Sequence, residues 1–353
     1  MDTQIRDSVH IFSEFMDPER KRLIADLVRQ IPELTEINRG QLFMLWFCDI
    51  DRLREIVDGC QANPDWWAIG LLTSTLKRGN LVDLAGIWAG KCHPENRPRG
   101  SRSLITKPRP SSSRPRSPQV QATSDRQRGD SGESSIGLSP NRDPEAKNLA
   151  MDRDNNQCVL SKEDLHSLEV AYVIPKWLHG TNPEVDWLNL LCFWSNERVK
   201  EWQQAISQAN LLNTEQVQNL ITLSAHVHAY WDGCACAFRP IQVNENRTKM
   251  EIAFHWLPPH DDKIRREDLL PIDENPYGPG HRGFDKNPGD DNFEFDIPSG
   301  YIFTVTTDDP SRKPLPSFEL LNLQWQLRRI AAMQGDAEED DSDIDSDGDD
   351  ISV

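Results

Sequence analysis

Histidine and cysteine side chains, which often bind transition metals in proteins, are concentrated in one short stretch of the chain. His226 and His228 lie two residues apart, and Cys234 and Cys236 follow closely. On a helix the two histidines would be about 200° apart and could not face one ion, whereas on a strand they would share a face. The cysteine pair lacks the spacing of a zinc site, and the other cysteines are scattered. We expect a helix here, with His226 exposed and the cysteines in the core.

Four runs between residues 148 and 240 combine aromatic, amide and imidazole side chains. They are Arg153–Ser161, Glu169–Pro175, Trp187–Ser195 and Asn219–Asp232. Their order resembles the HNH endonuclease superfamily, in the version found as a domain of many fungal proteins. In that family a strand with the pattern A-H-I-x-P precedes N-x-x-x-L-x-x-x-x-H-x-x-[WF]-D. Two strands and one helix, the ββα-metal fold, then grip a single divalent ion.

The resemblance implies a role for each of three positions. His228 corresponds to the metal-binding histidine, and Asn219 to the asparagine that ties the loops of the site together. The first histidine of the pattern, which takes a proton from the attacking water, falls at Tyr172. The implied reaction is metal-dependent phosphodiester hydrolysis of DNA, with Mg²⁺, Mn²⁺ or Zn²⁺ as the single divalent ion.

The tyrosine at position 172 is the main departure from the family pattern. A phenol with an ordinary pKa near 10 is only about 0.1% ionised at pH 7. Losing a general base typically slows a reaction by about 10²–10⁴-fold, so we expect a weakened nuclease that keeps the fold. His166 and His179 flank the strand and could replace the base, and Lys176 and Arg239 are candidate phosphate contacts.

Hydrophobic periodicity predicts an α+β protein. Helices are expected at 18–31, 39–58, 65–76, 81–88 and 198–208, and from Ser224 towards Trp231; strands are expected at 170–174, 220–223, 249–256 and 301–307. Asp17 precedes Pro18 and should cap the first of these helices. A further helix at 317–333 is predicted to be amphipathic, with its leucines on one face.

Composition divides the chain into four segments. Residues 1–93 are predicted to form a helical N-terminal domain, 94–147 a disordered linker rich in Pro, Ser and Arg, 148–334 an HNH-nuclease-like domain with a C-terminal extension, and 335–353 an acidic disordered tail. The linker is basic, with nine Lys and Arg against one Asp in residues 97–129, while residues 336–350 hold ten acids. Neither segment has the apolar content that would offset the entropy lost on ordering.

Charge and hydropathy narrow the class of protein. The formal net charge of −18 excludes an overall basic coat for nucleic acid, although it says little about a local site. The longest apolar run, residues 42–48, is much shorter than the roughly 20 residues of a membrane-spanning helix. No signal segment is evident, and seven irregularly spaced cysteines argue against a disulfide framework. We expect an intracellular protein of the nucleus or cytoplasm, with no membrane partner.

Two functions stay open at this point. The first is an HNH nuclease domain that acts on DNA with weakened catalysis. The second is a catalytically inactive interaction module built on the HNH scaffold. That module would bind protein partners through the helical N-terminal domain and the acidic tail.

Overall fold

The protein is mixed α and β, as predicted. The computed structural model describes residues 11, 13–31, 34, 36–62, 67–78, 85, 144–162, 167–174, 187–211, 216–257, 269–272 and 297–334. The helices are α1 (Ser13–Met16), α2 (Pro18–Gln30), α3 (Arg39–Phe47), α4 (Ile50–Ala62), α5 (Trp67–Arg78), α6 (Pro144–Arg153), α7 (Trp187–Leu190), α8 (Asn196–Leu211), α9 (Ala225–Asp232) and α10 (Phe318–Met333), with a 3-10 turn at Val217–Asn219. The strands are β1 (Glu36–Asn38), β2 (Leu168–Tyr172), β3 (Leu220–Ser224), β4 (Cys236–Val243), β5 (Lys249–Trp256), β6 (Leu269–Pro271) and β7 (Tyr301–Thr306).

The described strands form three small antiparallel sheets. The largest has the order β4-β5-β7, with Phe238 opposite Phe254 and Ile252 opposite Phe303. β2 pairs with β3, and β1 pairs with β6. The sequence analysis missed β4. Its Pro240 lacks the N–H that a strand interior needs, but β4 is an edge strand with a bulge beside the proline, where that loss is tolerated.

Helix starts follow the capping residues in the sequence. The Asp17 carboxylate accepts hydrogen bonds from the backbone N–H groups of Glu19 and Arg20, and α2 begins at Pro18 as predicted. Ser317 accepts from the Leu320 N–H at 3.2 Å and caps α10 in the same way. These side chains satisfy N–H groups that have no partner within the helix.

The single helix predicted at 39–58 is wrong, because the chain breaks at Cys48. The break frees Asp49 for tertiary contacts: its N–H donates to the Phe193 carbonyl at 2.8 Å, and its carboxylate accepts from the Ser195 N–H and binds Arg198. Residues 39–58 show apolar periodicity on both sides of Cys48. This periodicity could not reveal that the backbone turns at Cys48, so that Asp49 can bind residues at the start of α8.

Helix α10 is buried almost all round, so the amphipathic interpretation of this helix is wrong. Its leucine face is buried as predicted, but so are Gln324, Arg328 and Arg329 on its other sides. The Arg329 guanidinium lies 4.0 Å from the Phe47 ring centroid and 4.3 Å from that of Trp325. The two arginines of this helix are therefore held inside the protein by an ion pair with Glu14, a backbone carbonyl and aromatic rings.

The N-terminal helices and the predicted HNH-like domain share one core. The described residues up to 85 and from 144 onwards belong to a single compact unit, and one cluster of buried side chains extends from Ile11 to Met333. Arg39 on α3 donates to the carbonyl of Met333 at 2.8 Å. The structure therefore differs from the predicted division into separate domains at 1–93 and 148–334. Helix α6 also begins at Pro144, inside the range predicted as linker.

Other predictions concern segments outside the described residues. These are the helix at 81–88, apart from Ala85, the linker up to residue 143, and the acidic tail from residue 335. Among the described helices, none combines the length and hydropathy required to cross a membrane.

Candidate functional site

Two strands and a helix form the framework of the candidate site. β2 and β3 pair antiparallel, with Leu168 opposite Ser224 and Tyr172 opposite Leu220. α9 follows β3 directly and contacts both strands. Its start at Ala225 agrees with the predicted helix after Ser224, so His226 and His228 lie on a helix.

The side chains on the two faces of β2 pack against different parts of the protein. Successive side chains of a strand alternate between its faces. Val170 and Tyr172 pack on a small cluster with Ala146 and Ala150 of α6. Ala171 belongs to the main core, together with Val227 and Trp231 of α9, and Glu169 lies on that same face. The candidate site therefore forms on the Glu169 face, beside α9.

His228 lies between two carboxylates. Its Nδ1 is hydrogen bonded to Glu169, and its Nε2 is 3.5 Å from an Asp232 oxygen one helical turn later. The His228 side chain is only 17% exposed, whereas Glu169 and Asp232 are 48% and 70% exposed. The two ring nitrogens sit on different edges of the imidazole, so the carboxylates approach it from different sides.

Asn219 is bound to the backbone that follows β2. It is 1% exposed, and its Oδ1 accepts from the Ile174 N–H at 2.7 Å. Its own carbonyl accepts from the Val173 N–H at 2.9 Å. These contacts hold the β2 exit against the start of β3.

Tyr172 does not join His228. Its position is three residues along β2 from Glu169, roughly 10 Å at the usual rise per residue, and its side chain packs on the opposite face. Its carbonyl accepts a hydrogen bond from Trp231 Nε1 at 3.2 Å. The structure thus fixes the backbone of Tyr172 beneath α9 while directing the side chain towards α6.

The segment that contains all these residues is similar to a known family. Residues 158–239 match the family model described as HNH endonuclease. This match confirms the resemblance for that part of the chain. No curated protein and no solved structure matched the chain.

The HNH segment also contains the remaining candidate residues. His226 is exposed on α9, as expected, and Arg239 is partly buried in β4. His166, His179 and Lys176 lie outside the described residues.

The cysteines of the HNH segment lie in the core. They are Cys158, Cys192, Cys234 and Cys236, and all four are buried. Burial raises the pKa of the Cys236 thiol to about 12, so this thiol stays protonated at neutral pH.

A buried ion pair just before the HNH segment was missed by sequence reasoning. The Arg153 guanidinium contacts both carboxylate oxygens of Asp154 at 2.8 Å, and both side chains are fully buried. Arg153 also donates to the carbonyls of Val217, Leu220 and Pro314 at 2.8 to 3.1 Å. All five N–H donors are thereby used. Nothing in an Arg-Asp dipeptide distinguishes this network from a surface pair.

Asp154 extends the network to β3. Its Oδ2 accepts from the Thr222 N–H at 2.9 Å. The pair therefore fixes α6, the 3-10 turn and β3 relative to one another. It positions the framework that carries Asn219 and His228, without contacting either side chain.

The residues around His228 fit part of a metal site. A metal-bound histidine usually offers its other ring N–H to a carboxylate, and the Nδ1 contact with Glu169 has this form. The His228 Nε2 and the Asp232 carboxylate then remain as two possible metal ligands on the same side of the imidazole. Within the described ranges no group of three or more His, Cys, Asp or Glu could hold a metal ion. A hydrated ion such as Mg²⁺, which keeps several waters, suits such a sparse set.

Proposed function

We propose that this protein carries an HNH nuclease domain that hydrolyses phosphodiester bonds of DNA with a divalent metal ion, at a rate weakened by Tyr172. The observation that carries the proposal is the position of His228. It lies between Glu169 and Asp232 on a ββα framework, within the segment that matches the HNH endonuclease family.

Each residue of the site has a distinct task in this proposal. Glu169 accepts a hydrogen bond from the Nδ1–H group and so fixes the tautomer and orientation of the imidazole, which leaves Nε2 and Asp232 to hold the ion. The ion, when bound, supplies positive charge that stabilises the departing oxygen. Asn219 and Trp231 hold the backbone around Tyr172. The site lacks a good general base to remove a proton from the attacking water.

A second function is supported by the placement of Tyr172. Its side chain packs against the α6 cluster, and the described residues provide only two convergent metal donors. Both features favour an inactive interaction module on the HNH scaffold. Such a module would bind protein partners through surfaces other than the His228 site, such as the N-terminal helices and the acidic tail.

A plasmid-nicking assay with Mg²⁺ or Mn²⁺ tests the nuclease proposal. Tyr172→His puts back the imidazole of the family pattern. A rise in rate of about 10²–10⁴-fold would show that this smaller ring leaves the α6 cluster and reaches the attacking water as a base. His228→Ala should abolish nicking in both backgrounds. His226→Ala is the matched control, since this histidine is exposed on the same helix and should leave the rate unchanged.

Metal binding gives a readout that does not depend on turnover. Calorimetric titration of Mn²⁺ should show one saturable site in the full-length protein, lost in His228→Ala and retained in His226→Ala. No binding and no nicking, even by Tyr172→His, would reject the nuclease proposal and favour the interaction module.

A further inference from the structure

An arginine of α10 contacts the helix that carries His228. The Arg328 side chain is only 4% exposed, and its Nη1 donates a hydrogen bond to the carbonyl of Trp231 on α9. Its guanidinium lies 4.3 Å from the centroid of the Trp231 ring. In the turn after α9, the Cys234 thiol donates to the Arg328 carbonyl at 3.7 Å. Arg328 therefore holds the C-terminal end of α9 through both its side chain and its backbone.

Helix α9 needs a partner at this end. It has only eight residues, which is below the roughly 12–15 residues at which isolated helices become marginally stable in water. The last four carbonyl groups of a helix have no partner within it, and a positive charge beside them is favourable. The Arg328 guanidinium supplies both a donor and that charge. The position of α9 therefore depends on α10 as well as on β2 and β3.

Trp231 joins Arg328 to the strand that carries Glu169. Its indole Nε1 donates to the Tyr172 carbonyl of β2 at 3.2 Å, while its own carbonyl and ring contact Arg328. Trp231 is 1% exposed, and its ring packs on Phe238 with centroids 4.6 Å apart. Trp231 thus fixes α9 to β2, and Arg328 in turn fixes Trp231.

Both candidate metal ligands are close to Trp231 in sequence. His228 is three residues earlier, at a neighbouring position on the surface of the helix. Asp232 comes next, so the carbonyl that Arg328 binds belongs to the peptide group between Trp231 and Asp232. The hydrogen bond from His228 to Glu169 spans α9 and β2, and its geometry depends on how these elements are held. A misplacement of about 1 Å is enough to slow catalysis on the order of 10²-fold.

We propose that Arg328 is a positioning residue of the His228 site, which it holds through Trp231. It lies on α10, outside the segment that matches the HNH endonuclease family, and it is not itself a metal ligand. The C-terminal extension is then part of the functional site as well as part of the core. The effect on metal binding rests on the proposed function, whereas the effect on the orientation of the His228 imidazole does not.

The orientation of His228 can be followed by NMR without metal or turnover. In the full-length protein with ¹⁵N-labelled histidine, at mildly alkaline pH, long-range ¹H–¹⁵N spectra distinguish the two imidazole tautomers. His228→Ala assigns the signals. In wild type the contact with Glu169 should keep the proton on Nδ1. Arg328→Gln should move the His228 signals towards a mixture of tautomers, while those of the exposed His226 stay in place.

Calorimetric titration of Mn²⁺ measures the effect on metal binding. Arg328→Gln should weaken binding at least about tenfold, since loss of an outer partner of a metal site typically costs about 10–100-fold in affinity. Arg39→Gln is the matched control. Arg39 is also a buried arginine that donates to one carbonyl, that of Met333, and lies over one ring, that of Phe43. Neither contact involves α9, so this variant should keep the His228 signals and Mn²⁺ affinity of wild type.

A second variant decides the matter if Arg328→Gln does not fold. Trp231→Phe keeps an aromatic ring beside Arg328 and loses the N–H that holds the Tyr172 carbonyl, so it should change the His228 signals and weaken Mn²⁺ binding in the same direction. Wild-type signals and affinity in the folded variants, or equal effects of Arg39→Gln, would overturn the proposal. If wild type binds no Mn²⁺ but its His228 tautomer still depends on Arg328, the positioning role is supported and the nuclease proposal fails.

Discussion

At the scale of single residues, His228 is the centre of the candidate site, and its two partners could have been found from spacing. Asp232 follows it by four residues, which places both side chains on one helix face. Glu169 lies two positions before Ala171, and so on the same face of β2. What spacing could not reveal is the tertiary packing that brings Glu169 beside His228.

The family pattern alone would have placed Tyr172 next to the metal. The structure instead packs this side chain on α6, because the Val170 and Tyr172 face is covered by the helix that ends at Arg153. That helix lies partly in a range that the composition suggested was a linker. The role of Tyr172 therefore depends on a neighbour that motif analysis could not identify.

The buried Arg153–Asp154 pair should be essential for stability. Asp154→Ala leaves a fully buried guanidinium without its carboxylate and removes the acceptor of the Thr222 N–H. We expect the free energy of unfolding to fall by about 3–5 kcal/mol, measured by urea denaturation. Asp152→Ala is the control, because this neighbouring acid is exposed and pairs with Lys313 at the surface. Equal effects of the two substitutions would contradict the predicted importance of the buried pair.

The buried thiols should make the protein sensitive to alkaline pH. Burial raises the pKa of Cys48 to about 11 and that of Cys236 to about 12, from a usual value of 9.0. Above about pH 9 the unfolded chain loses thiol protons that the folded chain keeps, so the free energy of unfolding should fall as pH rises. Chemical denaturation across this range should show a shallower decline in the double variant Cys48→Ala, Cys236→Ala. If the free energy of unfolding of the double variant declines with pH as steeply as that of wild type, these thiols are not the cause of the decline.

At the scale of elements, local signals predicted the helix starts, and tertiary contacts decided the rest. The caps at Asp17 and Ser317 are correct because they involve neighbours in sequence. The break at Cys48 depends on Asp49 and residues about 145 positions later. The all-round burial of α10 depends on α3, α8 and β4, all of them far from it in sequence. Such dependence on distant partners leaves no mark in hydrophobic periodicity.

The effect of a buried polar residue of α10 on stability can be tested by substitution. Gln324 is fully buried, and neither atom of its amide group has a hydrogen-bond partner within the described ranges. Gln324→Met removes this unsatisfied group at similar volume, so the free energy of unfolding should rise by about 1 kcal/mol or more, measured by urea denaturation. Gln204→Met, at an exposed position of α8, should change it little. A loss of stability would show that a bound water satisfies Gln324.

At the scale of the whole molecule, the shared core predicts that the HNH segment does not fold independently. A fragment of residues 143–334 lacks α1 and α3, which contact α10 in the shared core. It should bind a hydrophobic dye and lose the cooperative thermal transition of the full chain, followed by circular dichroism. The control replaces residues 97–139 with a Gly/Ser linker of equal length and should keep the Tm of wild type. A cooperatively folded fragment would favour the two separate domains that composition suggested.

The hydrogen bond between Arg39 and the carbonyl of Met333 spans 294 positions of the chain. A ribosome that adds about 5–20 residues per second needs roughly 15–60 s to travel that distance. During that interval the nascent α3, with its tryptophan and phenylalanines, has emerged without the helix that finally encloses it. Chaperones that shield apolar surface during translation should therefore matter more for this protein than for one whose N-terminal helices close their own core.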